Sequence, residues 1–257
     1  MRISTIINGK GGVGKTTTTH ALATGLDKSQ YKTLAIDYDP QGNLSYAFGV
    51  DVNNTPTMYH VFNGDITIQE AIQHTRQGDI VAGNGFLGQL EAMFSGPAYL
   101  RSILKLDEQL KQLSGKYTHI FIDNQPLIGG ILTTQALACA DDLVVPVSAD
   151  TFTLQGLAKL QGALHDIREM INPQIKIDGL LLTRHNPRTI ISGDLAENMR
   201  RWAEAEQTRV YQAFIRESVA VKEAQASKES LFEYAPKSNP AVDYLAFIRE
   251  YLNQGGI

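Results

Sequence analysis

The chain has 257 residues, of which 43% are hydrophobic and 19% are charged, and this balance suits one α/β domain built on a single core. The net charge of -4 argues against a protein that coats nucleic acid by bulk charge, although it is compatible with a local basic face. The one cysteine excludes a disulfide scaffold, so we expect a cytoplasmic protein. No run approaches 18 apolar residues and the chain begins in a strand pattern, so we expect neither a membrane span nor a signal peptide.

A glycine-rich stretch lies between the first predicted strand, 2–7, and the first predicted helix, 16–26. Gly9, four further residues and then Gly14-Lys15-Thr16 satisfy the G-x-x-x-x-G-K-[ST] pattern in the strand–loop–helix context that it requires. Glycines let backbone N–H groups approach phosphate oxygens, and a helix N-terminus favours anions. A structural glycine-rich turn does not explain a Lys-Thr pair at this spacing. The predicted phosphate cradle, or P-loop, comprises Gly11, Gly12, Val13, Gly14, Lys15, Thr16 and Thr17.

Acidic residues stand at the ends of two further predicted strands. The apolar run 32–37 ends at Asp37, with Asp39 close behind, and the run 117–123 ends at Asp123. The carboxyl ends of parallel strands lie where phosphate and Mg²⁺ bind in an open α/β sheet, so we expect both acids of the first pair at the site. The alternative is that Asp39 only caps a turn with Pro40. The predicted role of Lys15 is to reach the β- and γ-phosphates, and the predicted metal site comprises Thr16, Asp39 and Asp123.

Strands and helices alternate along the rest of the chain, with further strands at 143–147 and 177–183 and helices at 98–113, 151–170 and 240–252. Residues 51–96 are the least regular part, predicted to leave the sheet and to contain a short helix at 67–74. The alternation predicts an α/β fold with a mainly parallel twisted sheet, flanked by helices on both faces, in one domain over 1–257.

The last predicted helix is amphipathic. One face carries Ala241, Tyr244, Leu245, Ile248, Tyr251 and Leu252. Its polar face has Asp243 and Glu250 where an interfacial membrane helix usually has lysine and arginine. We therefore expect this helix to pack in the core, and we expect no membrane partner.

Four stretches of the chain resemble the ParA/MinD family of deviant Walker-type P-loop ATPases, and more closely its ParA-like (Soj-type) DNA-partitioning branch. They are KGGVGKTT at 10–17, DYDPQGN at 37–43, FID at 121–123 and EYAPKSNPAVDY at 233–244. The resemblance implies ATP and Mg²⁺ as cofactors. Lys10 stands too early in the loop to hold the same phosphates as Lys15, so its reach is outward. By resemblance it crosses a dimer interface to the partner's nucleotide, while Asp39 activates the attacking water and Asp123 is the Walker B acid.

Two other stretches bear on the resemblance. The family's usual D-[TS]-P-P is replaced by Asp123-Asn124-Gln125-Pro126, which alters the stiffness and polar contacts of the switch loop. LLTRHNPR at 181–188 resembles a stretch found in both the MinD and ParA branches. It offers Asn186 as an adenine contact, with a simple Asn-Pro turn as the alternative.

By resemblance, non-specific DNA binding uses basic residues in the C-terminal third of the chain, here Arg188, Arg216, Lys222 and Lys237. Neighbouring acids such as Glu217 and Glu223 nearly balance them, and the alternative is a solvated surface of mixed charge.

The resemblance implies an ATP-dependent homodimeric switch with slow ATP hydrolysis. In the ATP state it binds DNA at the nucleoid and, with a ParB-like partner, positions a plasmid, a chromosome region or other cargo. The alternatives are a MinD-like ATPase at a membrane surface and a metabolic ATP-dependent enzyme on the same fold. An iron protein of the nitrogenase type requires two cysteines per subunit, and this chain has only Cys139.

Overall fold

The computed structural model describes residues 1–27, 31–94, 97–148, 154–185 and 193–253. Its strands are β1 (Arg2–Ile6), β2 (Thr33–Tyr38), β3 (Ile72–Thr75), β4 (Gly78–Val81), β5 (His119–Asn124), β6 (Asp142–Ser148), β7 (Lys176–His185) and β8 (Arg209–Arg216). The helices of the first half are α1 (Lys15–Asp27), α2 (Asn43–Ala47), α3 (Met58–Asn63), α4 (Ile68–Ala71), α5 (Leu87–Met93), α6 (Pro97–Ser102) and α7 (Lys105–Lys111). Those of the second half are α8 (Ile131–Cys139), α9 (Leu154–Met170), α10 (Gly193–Ala205), α11 (Val219–Ala226), α12 (Leu231–Tyr234) and α13 (Asn239–Leu252).

The strands form one sheet in the order β3-β4-β2-β5-β1-β6-β7-β8. All neighbouring pairs are parallel except β3 and β4, which form an antiparallel hairpin at one edge. This arrangement confirms the predicted mainly parallel sheet. Strands β2, β5 and β1 are adjacent and run the same way, so the segments that follow their carboxyl ends meet at one edge of the sheet.

Hydrophobic clusters cover both faces of the sheet. One contains Leu106, Leu110 and Leu164 from α7 and α9, and the other joins α1 to α13 through Leu22 and Phe247. Burial of each such side chain stabilises the fold by about 1.5–3 kcal/mol, so these two clusters supply most of its hydrophobic stabilisation. Helix α13 packs in the core as predicted, although Leu245 is 38% exposed and Phe247 is fully buried instead.

The prediction for residues 67–74 was wrong. The helical turn α4 ends after four residues, and the chain turns into the β3–β4 hairpin, which joins the sheet beside β2. Thr67 and Glu70 form a capping box that begins a helix, but Gly78, at φ 139°, allows the reversal that brings β4 alongside β3. Part of the segment 51–96 therefore extends the sheet, through β3 and β4, and the helices α3, α4 and α5 of this segment lie outside it.

The predicted helix 98–113 is interrupted. Helices α6 and α7 are separated near Ile103, which is buried, and Leu104, which is 46% exposed. The apolar residues Ile103, Leu106 and Leu110 are buried in the core in spite of the break. Strand β8 and helices α8, α10 and α11 were not predicted, and residues 151–153 of the predicted helix 151–170 lie outside the described residues.

Within the described ranges, none of the helices combines the length and the apolar character that crossing a bilayer requires.

Candidate functional site

The P-loop connects β1 to α1 in the shape that its glycines allow. Gly12 and Gly14 have φ values of 76° and 86°, in the left-handed region that side chains with a Cβ rarely adopt. Val13 between them is buried, whereas Gly11 and Gly12 are exposed. Thr16 and Thr17, in the first turn of α1, are half-buried at the mouth of the same loop. The loop therefore presents its backbone to the solvent at a helix N-terminus, as an anion site requires.

Lys15 lies inside the loop. Its side chain is buried, and Nζ donates a hydrogen bond to the carbonyl oxygen of Lys10 at 2.8 Å. Burial lowers the pKa of this ammonium, while the nearby carboxylates of Asp123 and Asp39 oppose that shift. A buried ammonium whose one hydrogen bond shown here goes to a carbonyl oxygen can pair with a phosphate that enters the loop.

Lys10 has a different environment from Lys15. Its backbone N–H donates to Oδ1 of Asn8 at 3.0 Å, which fixes the start of the loop, while its side chain is exposed. The P-loop thus carries one buried lysine, Lys15, and one exposed lysine, Lys10.

Asp123, at the end of β5, lies in the floor of the site. It is fully buried, its Oδ1 is 3.4 Å from the Thr19 hydroxyl, and the Thr16 hydroxyl is a further hydrogen-bond partner. Burial, reinforced by the nearby carboxylate of Asp37, raises the pKa of Asp123 well above its usual range. Oδ2 is buried and without a hydrogen-bond partner. An orphaned carboxylate oxygen beside a P-loop threonine fits Mg²⁺ or one of its waters, so the predicted metal residues Thr16 and Asp123 fit the ion.

The two acids of the β2 end have separate roles. Asp39 is buried in the wall of the cleft, and its Oδ1 accepts from the backbone N–H of Gln41 at 2.9 Å. Asp37 is fully buried and accepts hydrogen bonds on Oδ2 from the backbone N–H and the hydroxyl of Ser45, at 2.7 and 2.6 Å. Burial raises the pKa of Asp37 to about 6. Asp37 lies beside Asp123 in the sheet, but it does not line the cleft, because its carboxylate is bound by Ser45 in the first turn of α2.

A cleft of about 770 Å³ opens in front of the P-loop. Its near wall is formed by Gly11 to Thr17 and by Asp39, and its far wall comes from the ends of β7 and β8 and from α11. Two contacts join the walls. Thr183 donates through Oγ1 to the Val13 carbonyl at 2.7 Å, and Gln225 of α11 donates to the Thr17 hydroxyl at 3.2 Å. The end of β7 was expected near the nucleotide base from the stretch 181–188, whereas the contributions of β8 and α11 to the far wall were not anticipated from the sequence.

Comparison with known proteins identifies the family. Residues 1–177 match the family model described as an AAA domain. The chromosome partitioning protein ParA of Myxococcus xanthus is 32% identical over 256 residues, which cover 98% of this chain and 88% of that protein. The sporulation initiation inhibitor protein Soj of Bacillus subtilis is 29% identical over 257 residues, 99% of each chain. The chain belongs to the ParA/MinD family of P-loop ATPases.

A solved structure related to this ParA/MinD chain has the same fold. The cobyrinic acid a,c-diamide synthase of Mycobacterium smegmatis aligns with a TM-score of 0.81 and 26% identity, over 98% of this chain and 93% of that one. The same synthase has been solved with an ATP analog and magnesium.

Of the four residues predicted to bind DNA, the structure describes three, and two of these line the nucleotide cleft. Arg216 is held by Asp243, with Nη2 at 2.6 Å from Oδ1 and Nε at 2.9 Å from Oδ2, and it lines the nucleotide cleft. Lys222 is exposed and lines the same cleft, while Lys237 is exposed ahead of α13. Arg188, like the predicted adenine contact Asn186, lies outside the described residues.

The family's switch loop follows β5, where this chain departs from the usual sequence. Asn124 is fully buried, and its amide donates to the Thr5 hydroxyl of β1. Ile128, farther along the loop, packs against Gly9, where an added Cβ would come within 2.8 Å of its Cδ1. The end of β5 and the loop that follows it therefore contact both β1 and the beginning of the P-loop.

Proposed function

We propose that this protein is an ATP-dependent dimerising switch that hydrolyses ATP slowly. The observation that carries the proposal is the placement of the two lysines of one loop. The Lys15 ammonium lies inside, bonded to the Lys10 carbonyl, whereas the Lys10 side chain is exposed. An exposed lysine at the rim of a phosphate site is placed to reach the nucleotide of a second copy. In this proposal ATP lies between two copies, and each Lys10 stabilises charge that develops in the partner site.

The other site residues take distinct roles in the proposal. The P-loop N–H groups and Lys15 bind the phosphates, and Asp39 orients the attacking water. Thr16 and Asp123 hold Mg²⁺, which when bound neutralises charge on the β- and γ-phosphates. Asp123 is buried beside Asp37 and carries an unpartnered oxygen, and both features support a role next to a cation. Residues 1–257 act as one ATPase domain.

We extend the proposal to DNA positioning. The support is the family membership together with the relatives named as chromosome partitioning proteins. In the ATP state the dimer binds DNA non-specifically at the nucleoid. A ParB-like partner stimulates hydrolysis, which releases the dimer into the cytoplasm and moves a plasmid, a chromosome region or other cargo. Lys237 is exposed and contributes to the DNA-binding surface in this proposal, whereas Arg216 and Lys222 line the nucleotide cleft.

A gel-retardation experiment tests the DNA step. With Mg²⁺ and ATP the protein retards a duplex of arbitrary sequence, and with ADP it does not. Retardation fades as salt rises, because phosphate contacts release counterions. A dimer that holds ATP and fails to retard DNA at low salt contradicts the DNA proposal. Co-sedimentation of that dimer with anionic liposomes favours the MinD-type alternative instead.

A second candidate is an ATP-dependent synthase, favoured by the structural similarity to the diamide synthase at 26% identity. An amide-forming enzyme needs an acceptor site for its carboxylate substrate, and the irregular segment 51–96 is the candidate for it. Several apolar side chains of this segment, including Met58, Val61 and Ile68, are instead buried in the core. ATP turnover that depends on cobyrinic acid and an ammonia donor supports this candidate, whereas turnover that depends on DNA supports the switch.

A further inference from the structure

Arg184, near the end of β7, has an unusual backbone conformation. Its φ is 52°, in the left-handed region that non-glycine residues seldom occupy. Such conformations persist only where the surroundings hold them, and they cluster at functional sites. Arg184 also lines the cleft in front of the P-loop, so its strained position is at the site itself.

The Arg184 guanidinium connects two loops of the site. Nη1 donates to the carbonyl oxygen of Gly12 at 3.1 Å. Nε and Nη2 donate to the same carboxylate oxygen of Glu217, at 3.3 and 2.9 Å. Glu217 is fixed in turn, because its backbone N–H donates to the carbonyl of His185 at 3.0 Å. The side chain is therefore oriented from one side by the loop after β8 and contacts the P-loop on the other.

Thr183 and Arg184 hold two successive P-loop carbonyls. Thr183 binds the carbonyl of Val13, and Arg184 binds that of Gly12. In a trans peptide the C=O and N–H groups point in opposite directions. Holding these two carbonyls on the β7 side therefore turns the N–H groups of Val13 and Gly14 away from β7. A triphosphate in the loop would accept hydrogen bonds from those N–H groups.

We propose that Arg184 is a positioning residue for the nucleotide. Oriented by Glu217, it fixes the Gly12–Val13 peptide so that the N–H of this peptide faces the phosphates before ATP arrives. The same contact links the cleft wall formed by the loop after β8 to the phosphate cradle. This inference rests on the proposed ATP-binding function and adds a residue that no P-loop pattern contains.

Titration of the whole protein with fluorescent ATP and ADP analogues in Mg²⁺ tests the role of Arg184. Arg184→Ala raises the Kd of both nucleotides by about tenfold, the loss of one charge-assisted hydrogen bond. Arg184→Lys raises the Kd about threefold, since the lysine ammonium reaches the carbonyl but lacks the planar guanidinium that Glu217 orients. Glu217→Gln also raises the Kd about threefold. The double variant Arg184→Ala/Glu217→Gln binds nucleotide no more weakly than Arg184→Ala alone, because the two residues act as one unit.

Arg201→Ala is the matched control, because Arg201 forms an exposed ion pair with Glu197 on α10, away from the cleft. It leaves both Kd values unchanged. A Kd for Arg184→Ala within twofold of wild type overturns the inference. So does a rise in Kd that is fully accounted for by the fraction of Arg184→Ala already unfolded at the titration temperature, which assigns the contact to folding alone. Failure of the wild-type protein to bind either analogue contradicts the proposed function instead.

Discussion

The behaviour of Lys15 follows from its burial between a carbonyl and two acids. Lys15→Ala removes the cation that faces the β- and γ-phosphates, so we expect no measurable binding of ATP or ADP by calorimetry. Lys32→Ala serves as the control and keeps wild-type affinity. Lys32 is exposed and lies just before β2, at the end of the parallel strands opposite to the P-loop. Tight ATP binding by Lys15→Ala would show that the nucleotide binds elsewhere.

His20 in α1 makes folding stability depend on pH. Its ring is buried, Nε2 is 2.8 Å from Oε1 of Gln77, and burial lowers its pKa to about 4. The unfolded chain has an ordinary histidine, with a pKa near 6.5, and so binds the proton first as pH falls. The stability that the neutral ring contributes is therefore complete above pH 6.5 and is lost as pH falls towards 4. From pH 7 to pH 5 this loss is about 2 kcal/mol.

Urea unfolding of wild type and His20→Gln at a series of pH values isolates this contribution. The difference in unfolding free energy between the two proteins shrinks by about 2 kcal/mol between pH 7 and pH 5. His74→Gln is the control, since the His74 side chain is 77% exposed, and its difference from wild type changes less over the same range. A difference between wild type and His20→Gln that does not vary with pH would rule out a buried neutral ring.

At the scale of elements, α13 protects the open edge of the sheet. Strand β8 is the last strand, and Glu250 accepts from the backbone N–H groups of Gln212 and Ala213 at 2.9 and 3.0 Å. Asp243 accepts from the backbone N–H of Arg216 at 3.0 Å. Unpaired edge strands tend to pair with other chains, so these acids satisfy donors that a second strand could otherwise engage.

Glu250→Ala leaves the two N–H groups of β8 to solvent. We expect a loss of about 1 kcal/mol in unfolding free energy and concentration-dependent self-association through the exposed edge. Chemical unfolding and light scattering measure the two effects. Arg249→Ala, an exposed residue of the same helix, is the control. A Glu250→Ala protein as stable and as monodisperse as Arg249→Ala would mean that the capping contacts contribute nothing.

The sequence predicted elements well where one signal was dominant. Strands β1, β2 and β5 were placed within a few residues, because each is a short apolar run followed by turn or acidic residues, and helix α1 was placed because it follows the P-loop pattern. The hairpin β3–β4 was missed because the residues of β3 are at most partly buried and because β4 pairs with β2, which is distant along the chain. The break between α6 and α7 was missed because helical spacing continues through it.

For the site as a whole, the sequence contained the near wall and not the far one. Lys15, Thr16 and Asp39 follow local patterns and line one cleft, and Asp123 is buried beside them. Arg184 and Glu217 are 33 positions apart in the sequence, and they come into contact because β7 and β8 are neighbours in the sheet. Asp37 was expected to line the site because the sequence shows where β2 ends. The sequence does not show that Ser45 will bind the Asp37 carboxylate.

At the scale of the whole molecule, the central claim is that ATP joins two copies through Lys10. Sedimentation of Asp39→Ala tests it most directly, because the loss of the residue proposed to orient water traps the ATP state. With Mg²⁺ and ATP this variant sediments at twice the monomer mass, and with ADP it sediments as a monomer. Adding Lys10→Ala returns it to a monomer in ATP. A variant that binds ATP yet stays monomeric, or a dimer that persists without Lys10, would contradict the claim.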